Sequence, residues 1–127
     1  ASDRALAEGI VQDSQDSACL DLTGYTRTIK ELIELFHLSD LLITNDGGPG
    51  HIAALTPITT IMLFGPETPR LYRPLGDKTV IFHEPTSCSP CLTAYNHRSS
   101  PCDGENICMQ RISSDQVLEQ ALAILGI

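Results

Sequence analysis

At 127 residues, of which 42% are hydrophobic and 19% charged, the chain has the size and composition of one ordinary globular domain with a single core. The formal net charge of −8 and the 8 scattered Lys and Arg residues argue against a nucleic-acid partner, which would require clustered basic side chains. The sequence contains no apolar run of about 18 residues that could span a membrane and no basic-then-apolar start typical of a secretory signal. We therefore expect a cytoplasmic protein, with the inner face of the plasma membrane as the alternative location.

The first ten residues predict a helix that is already under way. Asp3 lies in its first turn, and the apolar or small residues at helical spacing mark an inner face: Ala5, Leu6, Gly9 and Ile10. Because an α/β domain rarely begins on such a helix, we expect a strand to precede it, so that the domain is truncated at its N-terminus. A polar loop and a short apolar strand over residues 18–22 are expected to follow.

A capping box predicts the start of a second helix. Thr28 is followed three residues later by Glu31, the arrangement in which each side chain binds a backbone N–H group of the other residue. The next apolar residues fall at positions i, i+3, i+4 and i+7, and therefore share one face of a helix that runs to about Leu38: Ile29, Leu32, Ile33 and Phe36.

Three apolar runs, residues 41–44, 59–64 and 79–83, predict buried strands separated by short helical or turn segments. This alternation favours a Rossmann-like α/β domain, in which a parallel sheet is flanked by helices and ligands bind at the carboxyl ends of the strands. A second capping pair, Ser113 with Gln116, predicts a closing helix. Its inner face and its end would consist of Val117, Leu118, Ala121, Leu122, Leu125 and Gly126.

The first of these strands ends in a glycine-rich turn, Asn45-Asp46-Gly47-Gly48-Pro49-Gly50-His51. A turn of this kind that opens a helix presents backbone N–H groups and the positive helix end to an anion, most often a phosphate. Glycine permits both a close approach of the backbone and positive φ. An ordinary tight turn, with Asp46 capping N–H groups and His51 as a packing residue, explains the same residues. A Walker loop and a three-glycine dinucleotide motif are both absent.

Residues 41–54 together with residues 61–66 resemble the signature of glycosyltransferase family 9, the ADP-heptose:lipopolysaccharide heptosyltransferases and their relatives. Asp21-Leu22-Thr23-Gly24 and the capped helix after it fit the same pattern, so the resemblance extends over essentially the whole chain. It implies a GT-B architecture of two Rossmann-like domains. Residues 1–127 would then be a single, partial domain, most of the C-terminal half that binds the donor.

The resemblance also implies the reaction and the partners. An inverting enzyme of this family transfers a heptose or hexose from an ADP-heptose-like nucleotide-diphosphate sugar to a lipid-linked or saccharide acceptor in bacterial lipopolysaccharide or surface polysaccharide assembly. The catalytic base is expected in an N-terminal domain that this sequence does not contain, and no cofactor is expected for catalysis. The chain alone should therefore bind the donor without turning it over.

Carried over residue by residue, the resemblance places four residues of the turn against the diphosphate and sugar: Asp46, Gly47, Gly48 and His51. It places Thr26, Arg27 and Thr28 near the base and ribose, with Asp3 as a further candidate for a ribose hydroxyl. Gly47 stands where the family usually has Thr or Ser, which removes a hydroxyl donor to phosphate and leaves the identity of the donor open. Arg70 and Arg73 are either additional phosphate contacts or solvated surface charges.

Residues 85–110 form an irregular, cysteine-rich insertion with the spacing Cys88-x2-Cys91-x10-Cys102-x5-Cys108. Four thiols are the number that a structural zinc site needs, although the second spacing is unusual. Two disulfides, which a cytoplasmic protein does not normally keep, and free buried thiols are the alternatives. Cys19 is expected to be a small core residue.

Two other functions remain open at this point. A nucleotide-sugar epimerase shares the GT-B fold and would use a similar glycine turn, whereas a zinc-stabilised interaction module would have no enzymatic activity. The truncated start is also expected to leave an exposed sheet edge or core face, through which the chain would self-associate.

Overall fold

A three-stranded parallel sheet is the centre of the computed structural model, which describes residues 3–96, 99–100, 102 and 104–127. Its strands are β1 (Leu41–Asn45), β2 (Thr59–Phe64) and β3 (Thr79–His83), in the order β1-β2-β3. The predicted parallel α/β sheet is confirmed, and the three predicted strands agree with the observed ones to within one residue. β2 is the central strand, and it carries the most completely buried apolar side chains because it has a neighbour on each side: Ile61, Met62 and Phe64.

The described helices are α1 (Asp3–Ser14), α2 (Ile29–His37), α3 (Gly48–Ala53), α4 (Pro69–Tyr72), α5 (Ile107–Gln110) and α6 (Ser114–Leu125), with a 3₁₀ turn at Ala94–Asn96. The predicted first helix begins in residues that lie outside the described ones. No helix in the described part of the chain is both long and apolar enough to cross a membrane.

Helices α3 and α6 lie on opposite faces of the sheet. Side chains alternate between the faces of a strand, and Thr44 is paired with Met62 in the register of β1 and β2. Both of these side chains point toward Gly50 of α3. Ile43 and Leu63 point to the other face, where they line a groove together with residues of α6. β1 and β2 are therefore covered by a helix on each side.

Residues 1–32 form a compact unit of their own, separate from residues 33–127. The strand predicted over residues 18–22 is wrong, because residues 19–22 have no regular secondary structure and lie between turns at residues 17–18 and 23–25. Asp16 accepts a hydrogen bond from the Ala18 amide at 2.9 Å, and Asp21 accepts one from the Thr23 amide at 2.7 Å. Carboxylates that bind nearby backbone N–H groups in this way compete with strand pairing. Cys19 is consequently a half-buried residue of irregular backbone and not part of a core strand.

Helix α6 begins and ends as predicted. The Ser113 hydroxyl accepts a hydrogen bond from the Gln116 amide at 3.4 Å, and Gly126 adopts the left-handed conformation at the end of the helix. The predicted inner face is only partly correct, since Ala121 is its one buried residue. Leu118 is 57% exposed and Leu125 is 43% exposed. Helical spacing identifies the apolar face correctly, but it does not show how much of that face a neighbouring element covers.

Candidate functional site

A pocket of about 260 Å³ lies at the carboxyl ends of β1 and β2, the edge of the sheet where a ligand was expected. Asp46 follows β1 directly, and its amide donates a hydrogen bond to the Leu63 carbonyl at 2.9 Å. Glu67 follows β2 and lines the same pocket. The complete lining consists of Asn45, Asp46, Leu63, Gly65, Pro66, Glu67, Leu92, Asn106 and Met109. Parallel pairing of the two strands thus brings two carboxylates to one cavity.

Glu67 is the residue of this pocket that the sequence analysis missed. It is only 8% exposed, which is unusual for a carboxylate. It lies in the Gly65-Pro66-Glu67-Thr68-Pro69 loop, where the Thr68 hydroxyl accepts a hydrogen bond from the Arg70 amide at 3.3 Å and begins α4. The sequence did contain a signal for this site residue. Glu67 follows Gly-Pro at the end of a buried strand, and parallel strands place that end on the same edge of the sheet as Asp46.

The glycine turn has extended backbone at its first glycine. Gly47 is the residue before α3 and is extended, with φ 171° and ψ −176°. Neither Gly47 nor Gly48 uses the left-handed conformation that glycine permits. A Cβ atom at Gly47 would make only ordinary contacts, whereas one at Gly48 would meet no atom within 4 Å. The turn therefore offers backbone that is open to solvent at Gly48.

The predicted residues of the turn do not all line the pocket. Asp46 does, while Gly47, Gly48 and His51 follow it along the chain and lie outside the lining. His51 is exposed on α3, where its ring is accessible to a ligand. Arg70 on α4 and Arg73 directly after it are exposed as well. The structure therefore brings Asp46 together with Glu67 and leaves Gly48 and His51 exposed outside the lining of the pocket.

The other predicted donor contacts belong to the unit formed by residues 1–32. Arg27 lines a cavity of about 510 Å³ there, together with Asp21, Leu22, Thr23, Gly24, Tyr25 and Glu31. Thr26 and Thr28 are outside this lining. Asp3 is exposed at the start of α1, next to Arg4, whose guanidinium donates a hydrogen bond to the Thr23 carbonyl at 3.3 Å.

The capping box of α2 is confirmed, and it uses the backbone of the predicted base-binding turn. The Glu31 carboxylate accepts hydrogen bonds from the amides of Arg27 at 2.6 Å and Thr28 at 2.9 Å, while the Thr28 hydroxyl accepts one from the Glu31 amide at 3.2 Å. The amide bonds from Arg27 and then Thr28 lower the pKa of Glu31 below its ordinary value of 4.5. The amides of Arg27 and Thr28 are therefore already engaged by Glu31.

We expect the substitution Glu31→Gln to destabilise α2 at neutral pH and to lose this effect in acid. The carboxylate binds a proton less readily in the folded state, so its stabilising contribution is present above the unfolded pKa of about 4.5 and disappears as the pH falls through the lower folded pKa. Urea unfolding of both proteins between pH 3 and 7 measures the difference. Glu119→Gln on the exposed face of α6 is the control, and an equal pH dependence in both variants would contradict the capping role.

The four clustered cysteines line one cavity of about 180 Å³, separate from the pocket that contains Asp46. All four are free thiols: Cys88 is exposed, Cys91 and Cys102 are half-buried, and Cys108 is buried on α5. Within the described residues, no three His, Cys, Asp or Glu side chains lie close enough together to hold a metal ion. The predicted cysteine ligands thus surround a common space, and zinc binding itself stays a prediction.

A model of glycosyltransferase family 9 (heptosyltransferase) matches residues 1–100 of the chain, a range that includes the glycine turn and ends before Cys102 and Cys108. The chain is also similar to lipooligosaccharide heptosyltransferase 2 of Campylobacter jejuni subsp. jejuni serotype O:2, with 31% identity over 99 residues that make up 77% of this chain and 30% of that protein. A protein of the same name from Haemophilus influenzae is 38% identical over 63 residues, or 50% of this chain and 18% of that protein. The matched stretches thus span less than a third of these curated relatives. No solved structure matches the chain.

Proposed function

Because the chain belongs to glycosyltransferase family 9, we propose that it supplies the donor-binding part of an inverting heptosyltransferase. The donor is a nucleotide-diphosphate sugar similar to ADP-heptose, and the acceptor is a saccharide or lipid-linked saccharide of the bacterial lipooligosaccharide or lipopolysaccharide. The supporting relatives carry the name lipooligosaccharide heptosyltransferase 2. The base that deprotonates the acceptor is proposed to come from a domain outside this sequence.

One observation carries the proposal: Asp46 and the start of α3 follow β1 directly, at the ligand-binding edge of a parallel sheet. Backbone N–H groups at a helix start stabilise negative charge. In a transfer reaction this charge grows on the diphosphate as its bond to the sugar breaks. The amides of the turn therefore stabilise the leaving group, and the exposed His51 ring donates a further hydrogen bond to a phosphate oxygen.

The two carboxylates of the pocket have a different task. A carboxylate next to a phosphate would be repelled by it, whereas carboxylate oxygens readily accept hydrogen bonds from sugar hydroxyls. Asp46 and Glu67 are therefore proposed to face the transferred sugar, with the diphosphate on the side of Gly48 and His51. This division fits the structure, in which the carboxylates line the pocket and the glycine and the histidine lie beside it.

Titration of the protein with ADP and AMP tests this function. We expect ADP to bind at least about 10-fold more tightly than AMP, since the second phosphate adds hydrogen bonds to a charged group. His51→Ala should weaken ADP binding by about 10-fold for the same reason, whereas His37→Ala, at the end of α2 and exposed, serves as the matched control. Calorimetry that finds equal affinities for ADP and AMP, or no binding of ADP, would exclude the proposed donor site.

A further inference from the structure

The cysteine-rich segment has little regular structure of its own. Between β3 and α5, the described residues form only the 3₁₀ turn Ala94–Asn96. Long segments without secondary structure are uncommon inside compact domains, and small irregular regions are commonly stabilised by a metal or by disulfides. The described cysteines form no disulfide. A metal ion bound by the clustered thiols would supply such a cross-link.

One side of the segment is attached to the end of β2. The Ser89 hydroxyl donates a hydrogen bond to the Gly65 carbonyl at 2.7 Å. The amides of Cys91 and Leu92 both donate to the Pro66 carbonyl, at 2.8 and 3.0 Å. These bonds fix the turn that carries the Cys88-x2-Cys91 pair. Two thiols separated by two residues on a fixed turn are half of a typical zinc site.

The second pair of thiols approaches the same place from α5. The Cys108 sulfur lies only 3.2 Å from the position that a Cβ atom would occupy at Gly65, so α5 packs directly on the residue that anchors the first pair. Cys102 precedes α5, and its sulfur accepts a hydrogen bond from the Asn106 amide at 3.2 Å. All four cysteines line one cavity of about 180 Å³, whose remaining lining contains no Lys or Arg: Pro66, Ser100, Glu105, Asn106 and Ile107.

From this arrangement we propose that Cys88, Cys91, Cys102 and Cys108 bind one zinc ion. A tetrahedral site with Zn–S bonds of about 2.3 Å needs sulfurs about 3.8 Å apart, so the described thiols must move inward around the cavity. Cys108 is buried on α5, whereas Cys88 is exposed and Cys91 and Cys102 are half-buried outside regular secondary structure, so the side chains of these three have room to turn toward the metal. Each thiol gives up its proton to become a ligand, and the metal changes no oxidation state.

Polar groups beside the sulfurs support this assignment. The Asn106 amide is one such group, and donors of this kind favour a sulfur that carries negative charge. Hydroxyls accompany two other sulfurs: Thr86 lies 3.2 Å from Cys88, and Ser100 lies 3.4 Å from Cys91. Because a hydroxyl can donate its proton to the sulfur, both contacts are compatible with thiolate ligands.

The zinc ion would also stabilise one wall of the pocket that contains Asp46, a consequence that rests on the proposed function of that pocket. Leu92 follows Cys91 and Met109 follows Cys108, and both neighbours line that pocket. Asn106 and Pro66 line both cavities. Fixing the four sulfurs therefore fixes the backbone on which one side of the candidate donor pocket is built.

Metal analysis and thiol labelling of the reduced, full chain test the site. We expect about one zinc per chain after purification in the presence of Zn²⁺, and one thiol, Cys19, that is readily alkylated. After treatment with a chelator under reducing conditions, all five cysteines should be alkylated. The labelling experiment uses the wild-type chain, so it does not depend on whether a variant folds. As a second measurement, the Cys91→Ser and Cys102→Ser variants should both lose the metal, whereas Cys19→Ser should retain it.

The proposal is overturned by any of three results: a reduced protein that binds no Zn²⁺, zinc that is retained in both Cys91→Ser and Cys102→Ser, or mass spectrometry that finds the four cysteines in disulfides. These measurements use Zn²⁺ alone and no nucleotide. A failure of ADP to bind would therefore leave the result for the metal site unchanged, and the two proposals can be tested separately.

Discussion

Replacing Gly48 with valine is expected to abolish binding of a nucleoside diphosphate while leaving the fold intact. Gly48 is the first residue of α3 and is exposed, and a Cβ atom there would meet no other atom of the protein within 4 Å. The branched side chain would instead project into the space through which a phosphate reaches the backbone N–H groups. Loss of two or more hydrogen bonds to a charged group corresponds to an affinity at least about 100-fold weaker.

Calorimetry with ADP and thermal unfolding of the same samples separate the two effects. We expect the Tm of Gly48→Val to stay within about 3 °C of the wild type, as for other exposed substitutions. Gly47→Thr is the matched control, since Gly47 has an extended backbone that any residue adopts and a Cβ atom there makes ordinary contacts. It should bind ADP at least as tightly as the wild type, because its hydroxyl adds a donor. Unchanged ADP affinity in Gly48→Val would refute the phosphate role of the turn.

The parts of the fold that the sequence predicted are those that depend on local chemistry. The boundaries of α2 and α6 follow from the capping pairs Thr28 with Glu31 and Ser113 with Gln116, in which each hydroxyl binds an amide three residues along the chain. Strands β2 and β3 follow from uninterrupted apolar runs. The error over residues 18–22 has the same local origin, because the carboxylates of Asp16 and Asp21 bind nearby backbone N–H groups at the turns on either side of this stretch, which has no regular structure itself.

The candidate site was predictable only where one stretch of chain defines it. Asp46 follows a strand and opens a glycine turn, so its place at the ligand-binding edge was visible in the sequence. Glu67 joins it through the pairing of β1 with β2, and its burial depends on residues distant in the chain. The shared cavity of the four thiols likewise requires α5 to pack on Gly65. Contacts of this kind are set by tertiary packing, which spacing alone does not describe.

Gly50→Val is expected to destabilise the fold, whereas Gly48→Val is expected to leave it intact, although only Pro49 separates the two glycines. Gly50 is buried on the side of α3 that packs on the sheet. A Cβ atom there would collide with the Met62 methyl group and would lie 3.3 Å from both the Met62 sulfur and the Thr44 methyl carbon. Met62 is fully buried on the central strand, so its side chain has no solvent to move into.

The sign of the effect is decided by two opposing terms. Replacing a helical glycine with another residue gains up to about 1 kcal/mol of helix propensity, whereas overpacking a core costs about 1–3 kcal/mol. Valine adds two methyl groups beyond the colliding Cβ and has poor helix propensity, so the cost lies near the upper end of its range and the gain is small, and we expect a net loss of about 2 kcal/mol and a Tm lower by roughly 8 °C. Urea unfolding of Gly50→Val, Gly50→Ala and Gly48→Val measures the series. If Gly50→Val were as stable as Gly48→Val, α3 would not pack on β1 and β2 through Gly50, and the glycine turn would not be held at the sheet edge in this way.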